Sequence, residues 1–234
     1  MQQVNVASGF SRQVCRRYIL HPVYALHQRS YWASVCKQGA EARALFEASA
    51  DEASFPKQLL LESLPSAHIL SVRRVENGPQ HDAYLARRSR LVADLSAAGV
   101  AWDEDAHARW AFHGTAHSTV DLITRPGSKG FDYVSPAVRN GCCYGHGVYL
   151  ALAASLAHRY TAGPPAAPAR RLLILCRALV GRAGLGRADE PRIPLGCHSL
   201  CDSLSAPTMF VVQDGAQACP CFVVEYVLPP QLAQ

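Results

Sequence analysis

Apolar and polar residues alternate from Ile69 to Val75, the pattern of a strand buried on one face. Asn77-Gly78-Pro79 then reads as a turn. Beyond it Tyr84, Leu85, Leu91, Val92 and Leu95 recur at helical spacing, with Arg87, Arg88 and Arg90 mostly on the opposite face and Gly99 closing the helix. Trp110-Ala111-Phe112 forms a short strand that runs into His113-Gly114-Thr115. Thr115 or Ser118 can cap a helix through Val120, Leu122 and Ile123, which Pro126-Gly127 ends. A loop over Phe131–Cys143 precedes a strand at Gly147–Leu150 and a small-residue helix at Ala153–Tyr160. Gly163–Pro168 reads as an exposed loop, and Leu172–Val180 as a buried strand with Arg177 inside it. Arg182–Leu204 is expected to be mostly loop. Phe210–Val212 and Phe222–Leu228 close the chain as two strands joined through Asp214-Gly215.

The first 54 residues carry little periodicity, and only Gly39–Ala50 suggests a short helix by propensity. The sequence therefore divides into an N-terminal segment, 1–54, with no assigned role, and a structured region, 55–234. Helices early and strands late give an α+β fold class.

Composition narrows the function classes. With 49% hydrophobic and 18% charged residues in 234, the chain is globular rather than disordered. Its longest nearly apolar run, Val148–Ala157, is about half of the ~20 residues a membrane helix needs, and no signal peptide is recognisable. Nine cysteines, several inside apolar runs, and no Asn-x-Ser/Thr sequon suggest free thiols and an intracellular protein. Cys197-x3-Cys201 and Cys219-x-Cys221 could supply four metal ligands, but the spacing fits no common zinc knuckle and no metal is expected. Only three of the 23 basic residues are Lys, and the arginines are scattered rather than clustered, so a net charge of +5 does not point to nucleic acid.

Common catalytic motifs are missing: there is no Gly-x-Ser-x-Gly, Walker loop, His-Glu-x-x-His or Gly-x-Gly-x-x-Gly. What remains is a His-Gly at a strand end and a Gly-x-Gly-x-Tyr strand, with Tyr160 eleven residues after Tyr149. Two such tyrosines can either pack in the core or face each other across a slot for a flat cationic aromatic group. Gly114 would let backbone approach a ligand closely.

These residues, taken in order, resemble the catalytic domain of the poly(ADP-ribose) polymerase-like, diphtheria-toxin-type ADP-ribosyltransferases. The likeness is carried by Ile69–Asn77 with Tyr84, Phe112–Thr115, Asn140–Tyr160, Leu172–Gly181 and Cys201–Leu228, and it runs from about Pro56 to Leu228. It is nearest to the short, mono-ADP-ribosylating branch. The resemblance implies a split, mixed, mainly antiparallel sheet with short flanking helices and no helical regulatory domain. It implies NAD as donor substrate. His113 would hold the adenosine ribose through its 2′-hydroxyl, and Gly114 would grip the nicotinamide amide through its backbone. Thr115 would reach the same ribose or only cap a helix. Tyr149 and Tyr160 would sandwich nicotinamide, Ser155 matches a common Ser, and Tyr144 would shape the loop before the Gly-x-Gly. Phe131–Cys143 would cover the bound donor.

Two departures matter. Met209 stands where polymer-forming members carry a Glu that polarises ribose hydroxyls and activates the acceptor. Met cannot act as acid or base, so chain elongation should be lost and transfer of a single unit kept. Glu225 and Asp214 are nearby acidic residues that could be proposed as substitutes, though surface solvation explains such residues more often. Ala157 stands where many members carry a Ser that bonds the nicotinamide amide. His146, between Gly145 and Gly147, replaces a usual basic or small residue. Cys142 and Cys143 lie close to the implied cleft, as acceptors of self-modification or as oxidation-sensitive thiols. The implied activity is mono-ADP-ribosylation of proteins, the chain itself among the candidates. The rival is a binding module that kept the NAD or ADP-ribose pocket and transfers nothing.

Overall fold

The structure, a computed structural model, describes residues 2–4, 11–13, 45–125, 128–131, 143–161, 170–188 and 190–229. Most of the loops expected at 131–143 and 163–168 lie outside the described residues. The chain falls into two compact units, Met1–Ala33 and Ser34–Gln234. Within the first, β1 (Gln2–Val4) pairs antiparallel with β2 (Ser11–Gln13).

The second unit is built on one nine-stranded sheet. Its strands are β3 (Leu45–Glu47), β4 (His68–Val75), β5 (Ala108–Gly114), β6 (Val148–Ala151), β7 (Arg171–Leu179), β8 (Ala183–Leu185), β9 (Ser199–Cys201), β10 (Met209–Val212) and β11 (Ala218–Val227). They lie in the order β3-β4-β11-β7-β5-β6-β10-β9-β8, and only β8 and β9 run parallel among the described pairs. The sheet is therefore mixed and mainly antiparallel. It narrows sharply at its middle. β5 pairs with β7 over its whole length, Ala108↔Leu179 to Gly114↔Leu173, yet meets β6 only at Phe112↔Ala151.

Five helices flank the sheet among the described residues: α1 (Ala50–Ser63), α2 (Gly78–Ala97), α3 (Glu104–His107), α4 (His117–Thr124) and α5 (Ala154–His158). Three expectations change here. In the helix expected over Gly39–Ala50, residues 39–44 lie outside the described residues, 45–47 form strand β3, and α1 starts only at Ala50 behind a capping box, Ser49 with Glu52. Those paired bonds satisfy two N–H groups that the first turn would otherwise leave without partners. Asn77-Gly78-Pro79 is the start of α2 rather than a separate turn. Asn77 caps it, and Pro79 sits in the first turn, where its missing N–H costs nothing. At the far end Gly99 adopts a φ of +72°, the left-handed conformation that closes a helix. Neither Thr115 nor Ser118 caps α4: its cap is Ala116, which has no side-chain bond to give, and Ser118 lies inside the helix. The 182–204 region, expected to be mostly loop, is irregular apart from the three-residue strands β8 and β9 in its described residues.

One face of the sheet presents Ala111, Leu150, Ile174, Phe210 and Val212 to Val120 and Ile123 of α4 and to Phe131. The other face, at the β5–β7 side, meets Tyr84 and Leu91 of α2. There Phe55 of α1 packs edge-on to Trp110, ring centres 5.2 Å apart. Arg177, 3% exposed in the middle of β7, is neutralised where it lies. It donates to the Glu104 carboxylate at 3.0 Å and lies over the Trp110 ring. A buried guanidinium without such partners would be costly.

Candidate functional site

Register fixes what faces the gap between β5 and β6. Residues directly opposite in an antiparallel pair share a face, as do residues two apart along a strand. Met209 is opposite Ala151 and Val211 opposite Tyr149, while Ala151 is also opposite Phe112. Tyr149 and Met209 thus stand diagonally on one face, and Gly114 belongs to that face on the next strand.

The Gly-x-Gly turn before β6 is shaped by close packing. Gly145 has a φ of +102°, and a side chain there would meet Leu200 at 2.5 Å. At Gly147, φ +152°, it would meet the Val212 carbonyl at 2.5 Å. Only glycine fits both positions. The Tyr149 hydroxyl donates to the Gly145 carbonyl at 2.7 Å and accepts from the Tyr144 N–H at 3.0 Å, so the tyrosine ring is tied to the turn that precedes it. Gln213, just after β10, clamps the same turn. Its amide donates to the carbonyls of His146 at 2.9 Å and Pro191 at 3.1 Å and accepts from the Ile193 N–H at 3.2 Å.

His113 ends β5 next to the gap. Its Nδ1 lies 2.9 Å from the Tyr149 carbonyl. A carbonyl can only accept, so Nδ1 carries the proton. Burial lowers the His113 pKa, against the effect of this bond, and the ring is neutral. Nε2 is then an acceptor. Phe131 braces the ring edge-on at 4.9 Å.

Gly114 meets α5 directly: a Cβ there would lie 1.9 Å from the Ala157 carbonyl oxygen. Ala157 itself is 2% exposed. Ser155 is held from its backbone, whose N–H donates to Ser63 of α1 at 3.2 Å. Tyr160, just past α5, is 44% exposed. On either side of it His158 and Thr161 are anchored. His158 Nδ1 is 2.6 Å from the hydroxyl of the buried Tyr226, and the Thr161 hydroxyl donates to the His158 carbonyl at 2.8 Å. Burial and the nearby Arg171 lower the His158 pKa, and burial pushes the Tyr226 phenol up to about 12, so both groups are neutral in this bond. Thr115, partly buried, follows the strand end.

The two substitute carboxylates are engaged elsewhere. Glu225 accepts from Ser71 and Arg170, at 3.2 and 3.0 Å, on a strand separated from β10 by β7, β5 and β6. Asp214 pairs with Arg87 at 3.0 Å and caps the short 3-10 turn Gly215–Gln217. The carboxylate beside Met209 is instead Asp202, which sequence reading passed over. Cys143 is exposed, and Cys142 lies outside the described residues. Among the described residues no group of three or more His, Cys, Asp or Glu side chains could hold a metal ion.

The family model for the poly(ADP-ribose) polymerase catalytic domain matches residues 58–195, more than half of the chain. The chain belongs to this family. The matched stretch contains His113, Gly114, Thr115, Tyr149, Ser155 and Tyr160, while Met209 lies beyond it. Among curated relatives, the human protein mono-ADP-ribosyltransferase PARP12 is 26% identical over 250 residues, covering 96% of this chain and 33% of the relative. Mouse PARP12 matches at the same identity and coverage. Mouse protein mono-ADP-ribosyltransferase PARP10 is 28% identical over 164 residues, 67% of this chain and 16% of the relative. The chain thus spans a third or less of the length of these relatives.

Proposed function

We propose that this chain is a mono-ADP-ribosyltransferase that takes ADP-ribose from NAD, releases nicotinamide, and attaches one unit to protein side chains in an intracellular setting. The observation that carries the reading is the diagonal of Tyr149 and Met209 beside Gly114, in a chain of the polymerase catalytic family. An aromatic ring and an open backbone suit nicotinamide, and Met209 has no acid–base group with which to activate an acceptor for chain extension. Relatives named as mono-ADP-ribosyltransferases support the single-unit reading.

In this reading each residue has a physical task. Neutral His113 offers Nε2 to a ribose hydroxyl. Gly114, with no side chain, offers its peptide edge to the nicotinamide amide. Tyr149 and Tyr160 hold the ring faces, worth roughly 0.5–2 kcal/mol each for a cationic aromatic. Together they fix the glycosidic bond for cleavage, chiefly by positioning. Nicotinamide leaves with the electron pair of that bond, the anomeric carbon becomes oxocarbenium-like, and the acceptor nucleophile attacks it. Without an acid–base group at 209 the acceptor must supply its own ionised nucleophile.

The competing reading, a module that binds NAD or ADP-ribose without transfer, draws on Met209 and Ala157, which together remove an acid–base group and a hydroxyl. Purified protein incubated with labelled NAD separates the two. A label of one ADP-ribose per site, lost in His113→Ala and Tyr149→Ala, supports transfer. Long heterogeneous chains refute the assignment at Met209. A melting temperature raised by NAD without any label favours the binding module.

A further inference from the structure

The row of residues that crosses the gap is apolar until its outer end. Phe112, Ala151 and Met209 lie opposite one another across β5, β6 and β10. On the far side of β10, Phe210 is opposite Cys201 and Val211 opposite Leu200, so the next position in that register brings Asp202 to Met209. Side-chain bonds agree with this placement. Asp202 Oδ1 accepts from the backbone N–H groups of Met209 at 3.1 Å and Thr208 at 2.9 Å, and Oδ2 accepts from the Thr208 hydroxyl at 2.5 Å. Cys201 belongs to the core face, and Asp202 follows the end of β9 in a bend, its carboxylate lying against the main chain where β10 begins at Met209. Burial pushes the Asp202 carboxyl up, but the bonds from Thr208 and Met209 outweigh it and hold the group below the ordinary carboxylate range.

Resting on the transferase reading above, we propose that Asp202, whose carboxylate is bonded to the Met209 N–H at the start of β10, is an acidic binding residue of the donor site. Its carboxylate accepts a hydroxyl of the ribose that carries nicotinamide and faces the positive charge that grows there as nicotinamide leaves. The chemistry is electrostatic. A fixed negative group near a developing oxocarbenium stabilises the transition state more than the ground state. The same carboxylate closes the turn from Ser203 to Thr208, so a purely structural role has to be separated from this one.

Asp202→Asn does so. The amide keeps an oxygen for the two N–H donors and offers its NH₂ to the Thr208 hydroxyl, which can rotate to accept. The turn survives and the charge is lost. Nicotinamide release and NAD affinity are measured in parallel on wild type, Asp202→Asn and the double variant Asp202→Asn/Met209→Glu, with melting temperatures. The expected result is release slowed about tenfold or more by Asp202→Asn, the loss typical of a charged hydrogen bond. The melting temperature should stay within about 2 °C, and the carboxylate that the double variant restores one strand away should recover at least part of the rate. Release within about twofold of wild type overturns the proposal and leaves Asp202 a turn closer. If Asp202→Asn also lowers the melting temperature markedly, the double variant decides: recovery supports the proposal and none overturns it. If wild type binds NAD but releases no nicotinamide, the transferase reading fails by itself. Asp202 is then judged on NAD affinity, where about fivefold weaker binding supports it and unchanged binding overturns it. A wild type that neither binds nor cleaves NAD overturns both.

Discussion

The imidazole of His113 donates to the main-chain carbonyl of Tyr149 at 2.9 Å, joining side chain to backbone across the narrowest part of the sheet. One bond thereby sets the tautomer of the histidine and ties together two candidate site residues from adjoining strands.

That bond gives a pH prediction. The folded-state pKa of His113 is depressed, so the fold favours the neutral ring. Between the ordinary histidine value of about 6.5 and the lower folded value, the unfolded chain binds more protons, and stability rises with pH. The contribution is whole above about pH 6.5 and is lost as pH falls towards the folded pKa. His158 and His198 are shifted the same way, each first by burial, and add to the slope. Melts from about pH 7.5 to 5 should show wild type losing stability on acidification. His113→Gln should flatten the slope by about one proton's share, and NAD binding should weaken over the same range as Nε2 takes up its proton.

Gly114 should tolerate no side chain. A methyl group 1.9 Å from the Ala157 oxygen must push α5 away from β5. Gly114→Ala is expected to cost about 1–3 kcal/mol, the usual penalty of overpacking, and to abolish donor binding. Denaturant unfolding and NAD titration together check this, and an unchanged midpoint would contradict it.

Ala157→Ser places a hydroxyl on α5 where it adjoins Gly114. One added hydrogen bond to the donor amide is worth about 0.5–1.5 kcal/mol, a gain of roughly 2- to 10-fold in NAD affinity. Calorimetric titration measures it directly. Weaker binding would mean that the buried site has no room for the oxygen.

Gln213→Ala removes the amide that ties the Gly-x-Gly turn to Pro191 and Ile193. The turn carries the Tyr144 and Gly145 groups that bond Tyr149, so the ring loses its orientation. KM for NAD should rise about fivefold or more with a smaller change in kcat, since three ordinary bonds are lost near the ligand. Equal falls in both would argue against a positioning role.

Much of this architecture is legible in sequence because its signals are local. The alternation at Ile69–Val75, the apolar run at Leu172–Val180 and the paired glycines before Tyr149 each determine their own structure. α1 escapes because Pro56 lies inside it, where propensity argues against a helix, and the Ser49–Glu52 capping box that starts it is a short signal. β8 and β9, three residues each, are too short to show a period of two. β3 exists only because β4 offers it an edge, Leu45↔Val75 to Glu47↔Arg73. The same reason hides Asp202. Nothing within Cys201–Pro207 marks it, and only the pairing of β9 with β10 brings it to Met209.

The single rung between Phe112 and Ala151 has a dynamic consequence. Among the described residues the four strands from β6 to β8 share only one ladder pair with the other five, supplemented by side-chain bonds such as those of His113 to the Tyr149 carbonyl and Ser199 to the Val180 carbonyl. Breathing at that seam breaks few backbone bonds, whereas parting β7 from β5 or β11 breaks many. Amide protons around Ala151 should therefore exchange with solvent well before those of Leu173–Leu175, and a ligand that spans the seam would slow the first set and leave the second untouched.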